Sequence, residues 1–403
     1  MKRRKYQKQK IDSKKNGIST SLIKKILTWI LCIASLSYIV YFFVVLSGIK
    51  IIDPISENSS NHYLLSKNKS DLERTLILFE DGVGEKRRIS DVFLLFSNSE
   101  KDISLVTYVP GDIYFSGLEE NFGAPIQISS LRYAGDFLQE NRGVEYSVWQ
   151  MGQILGVKVD NYIWLTTESR KVLERTMGGN IEVQESFKEY YKNTEGATIG
   201  ENFLLLHGLS NRFSYLKFFL NASDIKGLDK TIYTNLTLLK ALSKIATFKN
   251  IVRNGDTYAI DLSSPTYLDD KLSERGGQIT TINTENFDKA FRSFYIKVLD
   301  RGLEEERVRV EVYNGSGIPG SAYQLGRKIE NSGCDVVRYG NAPKNISKTT
   351  VYIPQPESFS NSLSVVKEIL SGMYEEVNGR PDFMTTGDIV IVLGEDIKLM
   401  YSF

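Results

Sequence analysis

The chain is poor in the side chains that hydrolases and zinc proteins rely on. Its 403 residues include two cysteines and two histidines. Cys32 lies in the longest apolar run and Cys334 near the C-terminus, so no intrachain disulfide is expected. His62 and His207 are too few for a Cys/His cluster of zinc spacing, and no Ser or Cys stands with a histidine at triad spacing. Bulk charge is also missing, because the formal net charge is +1. That near-zero value hides an asymmetry: residues 1–25 hold ten Lys or Arg against Asp12 alone, which leaves the rest of the chain mildly acidic. The main body therefore has no general attraction for nucleic acid or polyanionic polymers.

Between Ile26 and Leu46 there is no charge at all. At about 1.5 Å per residue such a helix covers the ~30 Å hydrocarbon core of a bilayer. The run ends "VVLSGIKIID" without a small-x-small cleavage site, which reads as a retained signal anchor. Lysines and arginines from Lys2 to Lys25 precede it, so the N-terminus is expected in the cytoplasm and the main body outside. The basic tail then needs no nucleic-acid partner, since topology and anionic lipid explain it. Trp29, Tyr38 and Tyr41 are candidates for the membrane interfaces.

The pattern beyond the span divides the chain. Residues 1–25 read as a basic tail, 26–46 as the transmembrane anchor and 47–72 as a polar stalk. Over 73–255, short apolar strands such as "TLILF", "VFLLFS" and "ISLVTYV" come first, and amphipathic helices such as "LTLLKALSKIATFKNIV" follow. "GNIEVQE" from Gly179 reads as a strand, and residues 256–305 as a turn-rich linker. Residues 306–403 alternate strand and helix and close on the apolar run "DIVIVLG", a buried central strand in an α/β unit.

Gly315-Ser316-Gly317-Ile318-Pro319-Gly320 is a literal G-x-G-x-x-G between a strand and a helix. A dinucleotide site would also need an acid at the end of the next strand, which instead ends Arg338-Tyr339-Gly340. Pro319 further removes a backbone donor. The motif reads as a strand-to-helix turn, with no nucleotide cofactor expected.

The order "VRVEVYNGSGIPGSAYQLGRKIENSGCDVVRYGNA", "TTVYIP", "DIVIVLGED" resembles the LytR C-terminal domain. The preceding region resembles the catalytic domain of the LytR–CpsA–Psr family through "LILFEDG", "RRISDVFLLF", "LVTYVPGDIY" and "QILGVKVDNYIWLT". The resemblance implies an αβα sandwich with an apolar tunnel for a lipid chain. It also implies transfer of a glycopolymer from a polyprenyl-pyrophosphate carrier to peptidoglycan, with arginines on the pyrophosphate and aspartates on Mg²⁺.

Carried over residue by residue, Asp81 and Asp91 become candidate Mg²⁺ ligands, and Asp112, Arg88 and Lys217 candidate catalytic groups. An up-down-up meander would bring the three aspartates to one sheet edge. Most of the family's cations are replaced: Gly111, Ile89 and Gln127 stand where Arg, Arg and Lys are expected, and Thr231 and Thr234 fall where a late helix carries two arginines. Each charge-assisted phosphate contact is worth about 1.5–3 kcal/mol, and each ~1.4 kcal/mol is tenfold in rate. The expectation is therefore a non-catalytic envelope protein that binds lipid-linked or wall glycopolymer, or an envelope partner, as scaffold or regulator. The alternative is a divergent Mg²⁺-dependent phosphotransferase.

Overall fold

The computed structural model describes residues 20–57, 63–66, 72–98, 100–115, 125–177, 192–193, 201–273, 276–298 and 301–398. The expected strand from Gly179 and most of the basic tail lie outside them. Helix α1 (Thr20–Gly48) begins before the expected span and ends after it. Its Ser21–Gly48 stretch is long and apolar enough to cross a membrane, with a mean hydropathy of 2.4 over its most apolar 18 residues.

The first three strands are a meander. β1 (Leu72–Asp81), β2 (Arg88–Asn98) and β3 (Ile103–Pro110) pair antiparallel in sequence order. Helices α2 (Leu131–Leu138) and α3 (Gly143–Ile154) follow, then β4 (Asn161–Leu165), which joins β1 in parallel. Next come α4 (Thr167–Met177), α5 (Leu204–Arg212), α6 (Tyr215–Leu220) and β5 (Ile232–Thr234). Thr237 caps α7 (Leu238–Asn254) by accepting from the Lys240 backbone N–H at 3.4 Å, and β6 (Asp256–Asp261) then pairs in parallel with β3. The sheet order is β6-β3-β2-β1-β4-β5, with Lys192–Asn193 beyond β6.

Both sheet faces are covered, which is why its central strands are apolar almost throughout. Leu76, Leu78, Val92 and Leu94 face a core shared with α2, α3 and helix α8 (Thr284–Val298). Ile77, Phe79, Phe93 and Leu95 face a second core made with α4, α5 and α7. The expected αβα sandwich is present.

Two expected boundaries are corrected. The stalk segment 47–72 is partly structured: Ile52 bridges to Tyr233, Pro54–Glu57 is helical, and Tyr63 and Leu64 are buried. Residues 256–305 are not a linker. They supply β6, the hairpin Leu268–Leu272/Gln278–Ile282 and α8, whose Phe287, Phe291 and Phe294 are fully buried. The polar hairpin with Gly276 and Gly277 gave the segment its turn-like composition, while the apolar face of α8 sits at helical spacing inside it.

The C-terminal unit is a five-stranded sheet. β7 (Arg309–Asn314), α9 (Ser321–Glu330), β8 (Asp335–Asn341), β9 (Thr350–Ile353), α10 (Ser360–Leu370), β10 (Glu375–Asn378) and β11 (Ile389–Leu393) give the order β8-β7-β11-β9-β10. β11 is central and buried along its whole length, as its sequence implies. The glycine motif is a turn: Gly317 and Gly320 both have φ of 75°, and the loop's own side chains use its donors. Ser316 N donates to Asn314 Oδ1 at 3.0 Å, and Ile318 N to Ser316 Oγ at 3.1 Å.

This unit is docked on the first through buried charges. Arg327 on α9 donates to both oxygens of Asp288 on α8 at 2.7 and 2.8 Å, and Asn331 reaches the Gly156 carbonyl at 3.1 Å. Arg74 on β1 holds Asp160 through Nε at 3.1 Å and Nη2 at 2.9 Å, and also pairs with Glu368 on α10. Lys158 donates to the last carbonyls of α10, Glu368 at 2.9 Å and Ile369 at 3.1 Å. Val310, Leu325, Val366 and Ile391 belong to the same apolar core as Leu76 and Phe96, so the interface is continuous with the interior.

Removing Arg74 would strand two carboxylates in this interface. Arg74→Met is expected to cost about 3–5 kcal/mol, measured as a lower denaturant midpoint. The interface also has a pH signature. Burial lowers Lys158 and Lys328 to about 7; Lys328 adds to the effect on Lys158 and Glu368 opposes it, while Arg327 adds to the effect on Lys328. Unfolded lysines titrate near 10.4, so between these values the unfolded chain binds more protons and stability rises with pH. Denaturant midpoints are expected to climb from pH 7 to 9, and Lys158→Met to flatten part of that rise.

Candidate functional site at the end of the meander

The meander register brings the expected aspartates to one edge. Asp81 ends β1 opposite Arg88, and Asp91 lies opposite Phe79 on one side and Pro110 on the other. Asp112 follows the end of β3 by two residues. The edge is not a plain ladder, because Phe79 pairs with Asp91 and Glu80 with Ile89, leaving Ser90 as the extra residue of a bulge.

Glu80, next to the expected Asp81, is the better-held carboxylate. It is 1% exposed and accepts from Trp164 Nε1 at 2.9 Å and from the Arg132 guanidinium. Arg87 Nε lies 3.6 Å from its other oxygen. Arg132 also lies 5.7 Å from the centre of the Trp164 ring and 5.5 Å from that of Tyr233. Burial alone would weaken its hold on its proton, but Glu80 and Tyr233 more than reverse this. The alternation of β1 points Glu80 to the Leu76/Leu78 face, so sequence had a signal for it: an acid in register with buried leucines.

On the opposite face, Asp81 pairs with Arg170 Nη2 at 2.9 Å, and Arg170 Nε is 3.8 Å from Glu174. Asp91 accepts from Tyr108 Oη at 3.1 Å. Burial raises the Tyr108 hydroxyl far above its ordinary range, and Asp91, Asp261 and Asp112 raise it further. Asp261, at the end of β6 and beside Tyr108 in register, was missed because its segment read as a linker.

The metal and catalytic expectations fare differently. Among the described residues no group of three or more His, Cys, Asp or Glu is placed to hold a metal. Asp81 is turned to Arg170 and Asp91 to Tyr108, so the donor set as built does not fit Mg²⁺. Arg88 is exposed at the edge, opposite Asp81. Lys217 is not at the edge: its ammonium donates to the Met177 carbonyl at 2.9 Å and so caps α4. Thr234 donates to the Tyr162 carbonyl and Asn235 to the Asp160 carbonyl, so the expected arginine helix is instead a short strand held to β4.

Gly111, where the resemblance leads one to expect an arginine, is sterically closed. A Cβ there would sit 2.5 Å from the Ile89 carbonyl oxygen and 3.1 Å from that of Ser90. The bulge fills the space through which a side chain would leave. Arg87 and Arg132 meet Glu80, and Arg170 meets Asp81 and Glu174, so these three guanidiniums of the edge are already engaged by carboxylates.

Two cavities adjoin it. Ile77, Phe79 and Leu95 on the sheet, with Leu206, Leu209, Ile245 and Phe248 on α5 and α7, line a narrow apolar cleft. Only about 20 Å³ of it admits the centre of a water molecule, so a long hydrocarbon chain would enter only if α5 and α7 moved apart. The second is an open groove of about 710 Å³ lined by Tyr114, Gln127, Tyr133, Asp136 and Phe137.

Residues 307–396 match the family model described as LytR cell envelope-related transcriptional attenuator. The C-terminal unit is a LytR-type C-terminal domain. No curated protein matches by sequence. Among solved structures, the chain is similar to TagT bound to LI-WTA, at 12% identity over 58% of this chain and 96% of that one, with a TM-score of 0.37. It is similar to the transcriptional regulator yvhJ from Bacillus subtilis, at 15% identity over 57% and 98%, TM-score 0.38. A third is the LytR-CPS2A-psr family protein YwtF (TagT) with bound octaprenyl pyrophosphate lipid, at 13% over 58% and 95%, TM-score 0.36. Likeness at this level carries nothing about activity.

The closed position at Gly111 is testable. Gly111→Ala is expected to lower stability by about 1–3 kcal/mol, read as a lower thermal midpoint. Gly111→Arg is expected to lower it at least as much and to leave binding of inorganic pyrophosphate, followed by calorimetry, unimproved.

Proposed function

We propose that this chain is a membrane-anchored protein of the bacterial-type cell envelope, with its main body outside the cytoplasmic membrane. It binds lipid-linked or wall glycopolymer, or an envelope partner, as a scaffold or regulator, and does not transfer the polymer itself. The observation that carries this reading is the sterically closed Gly111 beside guanidiniums already engaged by carboxylates. A diphosphate brings dense negative charge to an edge whose guanidiniums are already engaged, and Arg132 cannot turn to it without leaving buried Glu80 to Trp164 Nε1 and the more distant Arg87. The LytR-type C-terminal domain, the apolar N-terminal helix and the aromatic-lined groove beside the edge support an envelope setting and a glycan ligand.

A second reading keeps one specific observation in its favour. Arg87, Arg88, Arg132 and Arg170 approach the same edge as Asp81, Asp91 and Asp112, although they come from different places in the chain than the family pattern implies. In that reading the protein is a Mg²⁺-dependent phosphotransferase, with the ion recruited together with the substrate.

One assay separates them. The full chain, reconstituted in lipid nanodiscs with Mg²⁺ and a polyprenyl-pyrophosphate glycan, is expected to retain the glycan without releasing carrier phosphate. Release that disappears in Asp112→Ala would establish the phosphotransferase and overturn the scaffold reading.

A further inference from the structure

Helix α6 is two-faced over only six residues. Phe218 is buried at 3% exposure, whereas Tyr215, Leu216 and Leu220 are 52, 65 and 60% exposed. At 100° per residue, Tyr215, Leu216, Phe219 and Leu220 share one face, and Phe218 and Lys217 point away from it. A face so apolar and so open calls for an occupant.

The same helix is fastened to the candidate membrane span. Tyr38 Oη on α1 lies 2.9 Å from the Phe219 carbonyl oxygen and 2.7 Å from that of Leu220, where α6 ends. The Phe219 ring packs against Tyr38 and Phe42, with ring centres 5.1 and 4.9 Å apart. Helix-end carbonyls have no partner within their own helix. In water they are hydrated at no cost, but at the depth of lipid they need a protein donor. A hydroxyl from the spanning helix supplies one.

Depth follows from α1. Val45 is buried against the domain, and Phe42 and Leu46 pack on its core, so the last turns of the helix face protein. Counting back from there, Ser21 to Tyr41 at about 1.5 Å per residue makes the ~30 Å of the hydrocarbon core. Lys24 and Lys25 then reach the cytoplasmic headgroups by extending their stems. At the other end, the Lys226 ammonium lies 5.5 Å from the centre of the Tyr41 ring, which marks headgroup level.

We infer that α6 lies in the outer interface of the bilayer, with Tyr215, Leu216 and Leu220 among the headgroups and upper acyl chains and Lys226 at the phosphates. The occupant of the apolar face is lipid. Its continuity with the spanning helix selects lipid over a protein partner, because the face sits beside the residues that define the membrane boundary. The inference rests on the reading of α1 as a membrane anchor and is independent of whether the edge aspartates catalyse anything.

The test uses the full chain with Cys32→Ser, Cys334 being buried, reconstituted in vesicles of phosphatidylglycerol and phosphatidylcholine. Leu216→Cys, Leu220→Cys and, as a distant reference, Met384→Cys (89% exposed) each carry an environment-sensitive fluorophore. Lipids brominated high on the acyl chain are expected to quench positions 216 and 220 several-fold more than position 384, and aqueous iodide to show the reverse order. Iodide quenching at 216 equal to that at 384 would overturn the inference, as would protection from iodide without quenching by lipid, which would mean a protein cover. Release of the chain from vesicles by alkaline carbonate would instead overturn the anchor reading on which this one stands.

Discussion

A carboxylate withdrawn from water needs compensating partners, and this chain supplies arginine to several of its deepest acids, while Glu311 is held by the neutral donors of Thr386 and Tyr313. Glu80 is answered by Arg132, Asp288 by Arg327, and Asp160 with Glu368 by Arg74. The planar guanidinium suits these places because it can donate to both carboxylate oxygens, as Arg327 and Arg74 do. The arrangement is unforgiving, since losing one partner leaves the other charge stranded in low dielectric. Two of the three sets cross between the central sheet and the C-terminal unit, so the two α/β layers are fixed relative to each other by the chemistry that neutralises their interiors.

The same requirement decides what the edge of the meander can do. Arg132 reaches the place where a phosphate-binding cation would be wanted, but it is positioned by Glu80, Trp164 and Tyr233. The bulge at Ser90 and the close approach of the Ile89 carbonyl to Gly111 are parts of one geometry: the extra residue pushes the start of β2 into the space above β3. A longer side chain at Gly111 would therefore have to displace the bulged start of β2.

Much of the framework was legible in the sequence. The antiparallel meander and its shared edge followed from three apolar runs separated by short turns, and the glycine motif was legible as a turn because its acidic partner was missing and a proline was present. The LytR-type unit was legible from the order of turn, helix and closing strand. What escaped had physical reasons. Glu80 was overshadowed by Asp81 because the family pattern names the latter, although the β1 alternation turns Glu80 to the core. Asp261 and helix α8 were hidden in a segment whose Gly, Ser and Asp content describes the hairpin Leu268–Ile282, not the elements on either side. Lys217 carried the right charge at about the right distance along the chain, but the fold uses it at the end of α4. Spacing fixes order along a chain, whereas the direction of a side chain on a short helix depends on what lies beneath it.

The central sheet also sorts the molecule into a near and a far side. Val45, Phe42 and Leu46 at the end of α1 join the core that contains Leu206, Leu209 and Phe248, the residues that line the closed apolar cleft. The C-terminal unit packs on the other core, with Leu76, Tyr146 and Phe291. With α1 in a bilayer, the cleft is on the membrane side of the sheet and the LytR-type domain on the far side. A lipid tail arriving from the membrane would meet α5, α6 and α7 first. Whatever the far domain engages is thereby held a full sheet layer away from the lipid.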